Sequence, residues 1–148
     1  MADDVSGTEF HEGTVFDKAE WHSEGDFPSD LSADRAATHI GLFLGWAIAR
    51  GHVSEDFELG NEDAIEKFEA HELSAGQLIL DACDGTLTAD ELSAEGARFA
   101  ADYYDEEYMD DYVDLSDDDL PSIYHEADSP AKRDALYAVL DKRFAEWQ

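Results

Sequence analysis

The chain has 148 residues and carries 38 Asp plus Glu against 9 Lys plus Arg, a formal net charge of −29 at pH 7. That length suits one domain able to bury its own core, and that charge opposes phosphate backbones and anionic membrane faces, which excludes direct nucleic-acid binding as an expectation. With 43% hydrophobic residues, among them 3 Trp, 6 Tyr and 8 Phe, the chain is too rich in apolar matter to read as disordered.

Residues 1–13 are polar, acidic and without periodicity, and read as a flexible N-terminal arm before a single helical domain over 14–148. Their start has neither the basic residues nor the apolar core of a signal peptide, and no apolar run reaches the roughly 18 to 20 residues of a membrane span. A cytoplasmic protein is expected. Val15 to Trp21 reads as a short amphipathic turn, broken by Gly25 to Pro28, where proline biases Phe27 toward an extended backbone. Ser29 to Ser32 offer caps for the next helix, with Asp34 in its first turn.

Ala36 to Arg50 is apolar nearly all round, so it must be wrapped by other elements and is the expected central helix. Gly41 and Gly45 each cost about 1 kcal/mol against Ala inside a helix, which implies a backbone or large ring close by. Gly51 supplies the stop and Arg50 suits the negative end of the dipole. Asn61 caps a helix to about Leu73. Ser74 to Gln77 and Thr88 to Glu91 have the capping-box form, the first opening a short helix and the second a long one to about Val113, with a candidate break at Gly96. Ala97, Ala101, Tyr104, Tyr108, Tyr112 and Leu115 keep the spacing of an inward stripe. Ser129 and Pro130 open the last helix, whose buried side is marked by Leu136, Tyr137, Leu140, Phe144 and Trp147. No useful strand pattern appears. The expected fold is all-α, an irregular bundle of five to six helices around the central apolar one.

Catalytic motifs are missing. Asp81 to Leu92 has the cadence of a calcium loop, but with Gly85 at the sixth position the first and third ligand positions fall on Leu80 and Ala82, so a turn and capped helix explain it better. The six histidines, His11, His22, His39, His52, His71 and His125, lack metal-ligand spacing, and His39 on the apolar helix reads as a neutral ring bonded to a carbonyl. The lone Cys83 reads as a small apolar side chain. No Gly-x-Ser-x-Gly or phosphate loop occurs. The expectation is a non-enzyme with no cofactor and no metal.

The acidic segment says more. Asp102 to Asp119 holds ten acids and no base, and Asp102, Glu106, Asp110 and Asp114 recur at four-residue intervals, a pattern that opposes a helix by a few tenths of about 1 kcal/mol per pair. A solvated face of a salt-adapted protein, a docking surface for a basic protein and a mimic of nucleic-acid phosphates all fit. Lys132, Arg133, Lys142 and Arg143 gather on the last helix, and either leave the acids facing outward or pair with them. On the docking reading Asp102, Asp105, Glu106, Asp110, Asp114, Asp117 and Asp118 make the electrostatic contact, with Tyr103 and Tyr108 as aromatic anchors, although Tyr108 also lies on the inward stripe.

Phe16 to His22 (Phe-Asp-Lys-Ala-Glu-Trp-His), Phe27-Pro28, Ala36 to Gly41, Trp46 to Ile48 and Val53-Ser54 form one recurring pattern. Phe99-Ala100, Tyr103-Tyr104, Asp111-Tyr112, Tyr124, Leu140 to Phe144 and Trp147 form a second. Together they resemble a family of small acidic bacterial proteins of unassigned biochemistry, similar to the immunity proteins of polymorphic or contact-dependent toxin systems. The resemblance implies a binding protein whose partner is a cognate toxin, neutralised by covering its basic surface. A regulatory or nucleic-acid-mimicking binder is the alternative, and a metal protein or enzyme with an unrecognised site the third reading.

Overall fold

The computed structural model describes residues 15–18, 37–83, 85–115 and 130–147, apart from the side chains at 105, 106 and 130. Seven α-helices lie among them: α1 (Thr38–Arg50), α2 (Glu55–Gly60), α3 (Glu62–Glu69), α4 (Ala75–Cys83), α5 (Ala94–Tyr103), α6 (Met109–Leu115) and α7 (Pro130–Trp147). A two-stranded antiparallel sheet joins β1 (Val15–Lys18) to β2 (Thr86–Thr88). The fold is all-α in character, and no helix among the described residues is long and apolar enough to cross a membrane.

Helix α1 is the axis, buried without interruption from Thr38 to Ile48. Side chains such as Ile40, Leu42, Phe43, Leu44 and Trp46 each contribute about 1.5–3 kcal/mol on full burial, enough to offset two helical glycines. Both glycines are spacers. A Cβ on Gly41 would lie 1.8 Å from the Ala75 carbonyl oxygen, so α4 crosses α1 there backbone to backbone. One on Gly45 would lie 2.4 Å from the Phe68 ring. Gly51, at φ 76°, ends the helix: its amide reaches the Ile48 carbonyl and that of His52 the Ala47 carbonyl.

Elsewhere the local chemistry divides the chain more finely than five or six helices. Asn61 leaves helical geometry at φ −135°, its backbone amide donates to the Glu58 carbonyl and its side-chain amide to the Phe57 carbonyl, so residues 55–69 form two helices. The Ser74 hydroxyl accepts from the Gln77 amide, but the Gln77 side chain goes to Asp81, which leaves half a capping box. The full box at Thr88 and Glu91 heads only a three-residue 3-10 turn, Ala89–Glu91. Leu92 then bridges Val53, and Ser93 caps α5. Gly96 sits inside α5 without breaking it, and serves as a spacer: a Cβ there would lie 2.5 Å from the His52 carbonyl oxygen. Between α5 and α6 the helix widens into a π-helical turn, Tyr104–Tyr108.

The sheet corrects the expectation that strands are absent and that Val15 onward forms a turn. The register slips between Val15 and Asp17, so Phe16 and Asp17, neighbours in sequence, are both buried. The arm at 1–13, the remainder of the turn to Trp21, the break at Gly25 to Pro28, the caps at Ser29 to Ser32 with Asp34, and the Ser129 cap lie outside the described residues. Helix α7 begins at Pro130 as expected and seats Leu136 and Leu140 in the core.

Candidate functional site

The acidic segment runs through α5, the π-helical turn and α6, and its helical geometry sorts side chains into two sets. The widened turn sends neighbouring tyrosines inward together. Tyr104 and Tyr108 stack with ring centroids 4.8 Å apart, and Tyr108 meets Phe43 edge-on at 5.3 Å. The Tyr108 hydroxyl donates to the His39 carbonyl, and the Tyr104 hydroxyl donates to Asp17 Oδ2 at 2.8 Å. Burial drives the Tyr108 phenol well above its ordinary value, so it stays a donor.

Tyr103 and Tyr108 therefore correct the expectation that they serve as aromatic anchors. Tyr103 is 2% exposed and Tyr108 1%. Tyr103 stacks on Phe99 at 4.9 Å and donates to Asp111 Oδ2 at 2.6 Å. Both rings have better partners inside than a docking protein offers outside. Asp102, Glu107, Asp110 and Asp114 are exposed, as is Val113 at 42%. The side chains of Asp105 and Glu106, and residues Asp117 and Asp118, lie outside the described residues.

Three of the four bases of α7, Lys132, Arg133 and Arg143, contact their own chain, whereas Lys142 is exposed. Arg143 grips Asp111 through both carboxylate oxygens at 2.9 Å. Arg133, 6% exposed, lies over the Phe68 ring at 3.8 Å and donates to the Phe68 and Leu73 carbonyls. Lys132, 7% exposed, places its ammonium 4.5 Å from the Tyr112 ring centre. Arg143 thus pairs with the acidic helix, whereas Arg133 caps the end of α3.

A second constellation is invisible in the sequence because its members come from three distant segments. Asp17 Oδ2 lies 3.3 Å from His39 Nε2 as well as accepting from Tyr104, and Asp17 Oδ1 accepts from the Lys18 amide. The His39 ring therefore faces a carboxylate through Nε2. With His39 1% exposed and Asp17 6%, this node ties β1 to α1 and the π-helical turn. The calcium-like segment spends its acid differently: Glu91 accepts from the Thr88 amide and hydroxyl, closing the capping box. Among the described residues no group of three or more His, Cys, Asp or Glu side chains is placed to hold a metal ion.

Beside the acidic face, a cavity of about 270 Å³ opens between α5, the π-helical turn and α7. Phe99, Asp102, Tyr103, Glu107, Arg143, Glu146 and Trp147 line it. Asp102 and Tyr103 were legible as candidates. Glu146 and Trp147 were not, since only tertiary packing brings the end of α7 there.

A family profile described as a domain of unknown function, DUF7832, matches residues 15–126. The chain belongs to this family. No curated protein and no solved structure matches it. The DUF7832 match takes in every described element from β1 to α6, hence the Asp17 node, the π-helical turn and the acidic face, while α7 follows it in the chain.

Proposed function

We propose that this DUF7832 protein is a non-catalytic binding protein of the immunity type, which neutralises a bacterial toxin by covering a basic surface of it. The observation that carries the reading is the division of charge. Asp110 and Asp114 are exposed on one side of α6 and meet no base among the described residues, while Lys132, Arg133 and Arg143 of α7 are engaged with their own chain. The excess negative field is left to act outward, where it speeds encounter with a basic partner and fixes its orientation. A face of carboxylates around Val113 offers a partner one apolar contact inside a charged rim.

Affinity capture from the native host, followed by binding measurements over a salt series, tests the reading. A basic protein encoded beside this gene is the expected catch. Asp110→Lys with Asp114→Lys should weaken its binding at least about tenfold and flatten the salt dependence. Unchanged affinity and salt slope would remove α6 from the interface. Competition by duplex DNA for the captured partner would indicate phosphate mimicry in place of toxin occlusion.

A further inference from the structure

A cavity of about 200 Å³ opens between α1, α3 and α7, lined by no residue of the acidic segment. Gly45 and Ala49 of α1, Phe68 of α3 and Tyr137 of α7 give it carbon walls. The buried Gly45 forms the floor: a Cβ there would stand 2.4 Å from the Phe68 ring and 2.7 Å from the Tyr137 hydroxyl, so glycine lets both rings reach the base of the cavity. Arg133 also lines it, as part of the wall. Its guanidinium lies on Phe68 and is turned to the Phe68 and Leu73 carbonyls, where it offsets the negative end of α3. The mouth is acidic, with Glu69 and Asp134 exposed at it. Glu69 also borders a shallower hollow shared with Glu58, Glu62 and Glu66, and α2 and α3 together carry seven acids against one base, Lys67.

We propose that this cavity anchors a basic segment of a partner protein, with one leucine side chain between the rings and lysines or arginines along Glu69, Glu66 and Glu62. The charge argument is made on α3 without the α6 face, so this inference and the reading above can fail separately. Volume decides the apolar part: the cavity is smaller than the roughly 300–1,000 Å³ of clefts that hold drug-sized ligands and suits one aliphatic side chain. An aliphatic group needs no polar partner, whereas a charged one would lose its water against carbon walls. Spacing decides the basic part: from Glu62 to Glu69 the helix rises about 10 Å, which an extended chain covers in about three residues. Opposite charge steers the segment in, and the buried side chain holds it.

The test uses the full chain at about 0.15 M salt, where the fields of exposed charges fade within about 8 Å. Capped Lys-Lys-Lys-Leu-Lys-Lys-Lys is titrated beside its serine analogue and beside Glu-Glu-Glu-Leu-Glu-Glu-Glu, with backbone amide signals followed by NMR. The basic leucine peptide should shift the signals of Gly45, Ala49 and Tyr137 and bind at least about fivefold more tightly than the serine analogue. Ala49→Phe, a substitution at an exposed position that fills the cavity from its rim, should abolish that preference and change binding of the serine analogue less than about twofold. Glu66→Gln with Glu69→Gln should weaken both basic peptides about threefold to tenfold, and Asp110→Asn with Asp114→Asn less than about twofold. Equal binding of the leucine and serine peptides, a preference that survives Ala49→Phe, or equal weakening by the two carboxylate pairs overturns the site. Tighter binding of the acidic peptide also overturns it and assigns the cavity to an anion held by Arg133. A captured partner that is lost on reversing Asp110 and Asp114 but indifferent to Ala49→Phe leaves the reading above intact and removes this anchor, and the converse keeps the cavity while removing α6.

Discussion

Arg143 and Asp111, 32 positions apart, meet in a bidentate pair, Nε to Oδ2 and Nη2 to Oδ1, each at 2.9 Å. The Tyr103 hydroxyl adds a third bond to the same carboxylate. Burial alone would raise the Asp111 carboxyl, but the bonds from Arg143 and Tyr103 outweigh it and hold the group below the ordinary carboxylate value. Arg143 is 37% exposed, so the pair is partly screened and Asp111→Asn should cost about 1–2 kcal/mol in urea unfolding at neutral pH. A depressed native value means that the contribution is complete above the unfolded value near about 3.9 and is lost as pH falls through the folded one. The difference between wild type and variant should therefore shrink only in acid below about pH 4. A constant difference down to the acid transition would show that Asp111 acts by packing alone.

The two glycines of α1 separate backbone from side-chain crowding. Alanine at either position gains up to about 1 kcal/mol of helix propensity, which works against any loss. At Gly41 the new methyl meets the Ala75 carbonyl oxygen at 1.8 Å, and a helix backbone yields only by moving α4 bodily. At Gly45 it meets the Phe68 ring at 2.4 Å and the Tyr137 hydroxyl at 2.7 Å, and side chains can rotate. Gly41→Ala should destabilise by about 2 kcal/mol or more and Gly45→Ala by less, read from paired denaturant curves. The reverse order would place the tight crossing elsewhere.

The crossing also shows what a sequence can reveal. An apolar run such as Ile40 to Ile48 has one physical outcome in water, and paired glycines within it signal close approach, so the axis of the fold was legible. Strand β1 was not, because four residues with a register slip bury Phe16 and Asp17 on consecutive positions and erase the alternation that marks a strand. Tyr103 escaped for another reason: the buried face of α5 runs through Gly96, Phe99, Ala100 and Tyr103, beside the stripe of Ala97, Ala101 and Tyr104, and the π-helical turn then brings Tyr104 and Tyr108 inward as well. Exposed acids such as Asp110 follow from local pattern, whereas Trp147 beside Asp102 depends on how α7 docks, which no local pattern contains.

Arg133 is a buried base whose value lies in its shape. Its Nη1 donates to the Phe68 carbonyl at 2.8 Å and meets His71 Nδ1 at 3.2 Å, while Nη2 reaches the Leu73 carbonyl at 3.2 Å. These groups follow the end of α3, where His71 takes the left-handed conformation at φ 64° that glycine usually occupies. A cation suits that helix end, and the planar fork spans both carbonyls. Arg133→Lys keeps the charge but reaches at most part of this set, so it should lose about 2 kcal/mol and speed amide exchange at residues 70–72. Full retention of stability in the lysine variant would reduce the role of Arg133 to its charge.

His52 lies between two aromatic rings, with its centroid 5.0 Å from that of Trp46 and 4.4 Å from that of Phe144. Burial lowers its proton affinity below the ordinary histidine value, and the nearby Glu95 and Asp141 oppose that shift without cancelling it. The unfolded chain then binds the proton more readily than the folded one. The neutral ring contributes stability that is complete above the unfolded value near about 6.5 and is lost as pH falls through the native one. Asp141 cannot mask the effect, because hydrogen bonds from Arg50, assisted by Trp46, keep its carboxyl below the usual carboxylate range. His52→Phe preserves an aromatic ring there and removes the titration, so its stability relative to wild type should rise as pH drops from about 7 toward about 5. Chemical denaturation at several pH values in that interval measures the difference directly, and an NMR titration of the His52 ring locates its midpoint. A midpoint at or above the ordinary value, or a pH-independent gap between the two proteins, would mean that Trp46 and Phe144 leave the ring open to water.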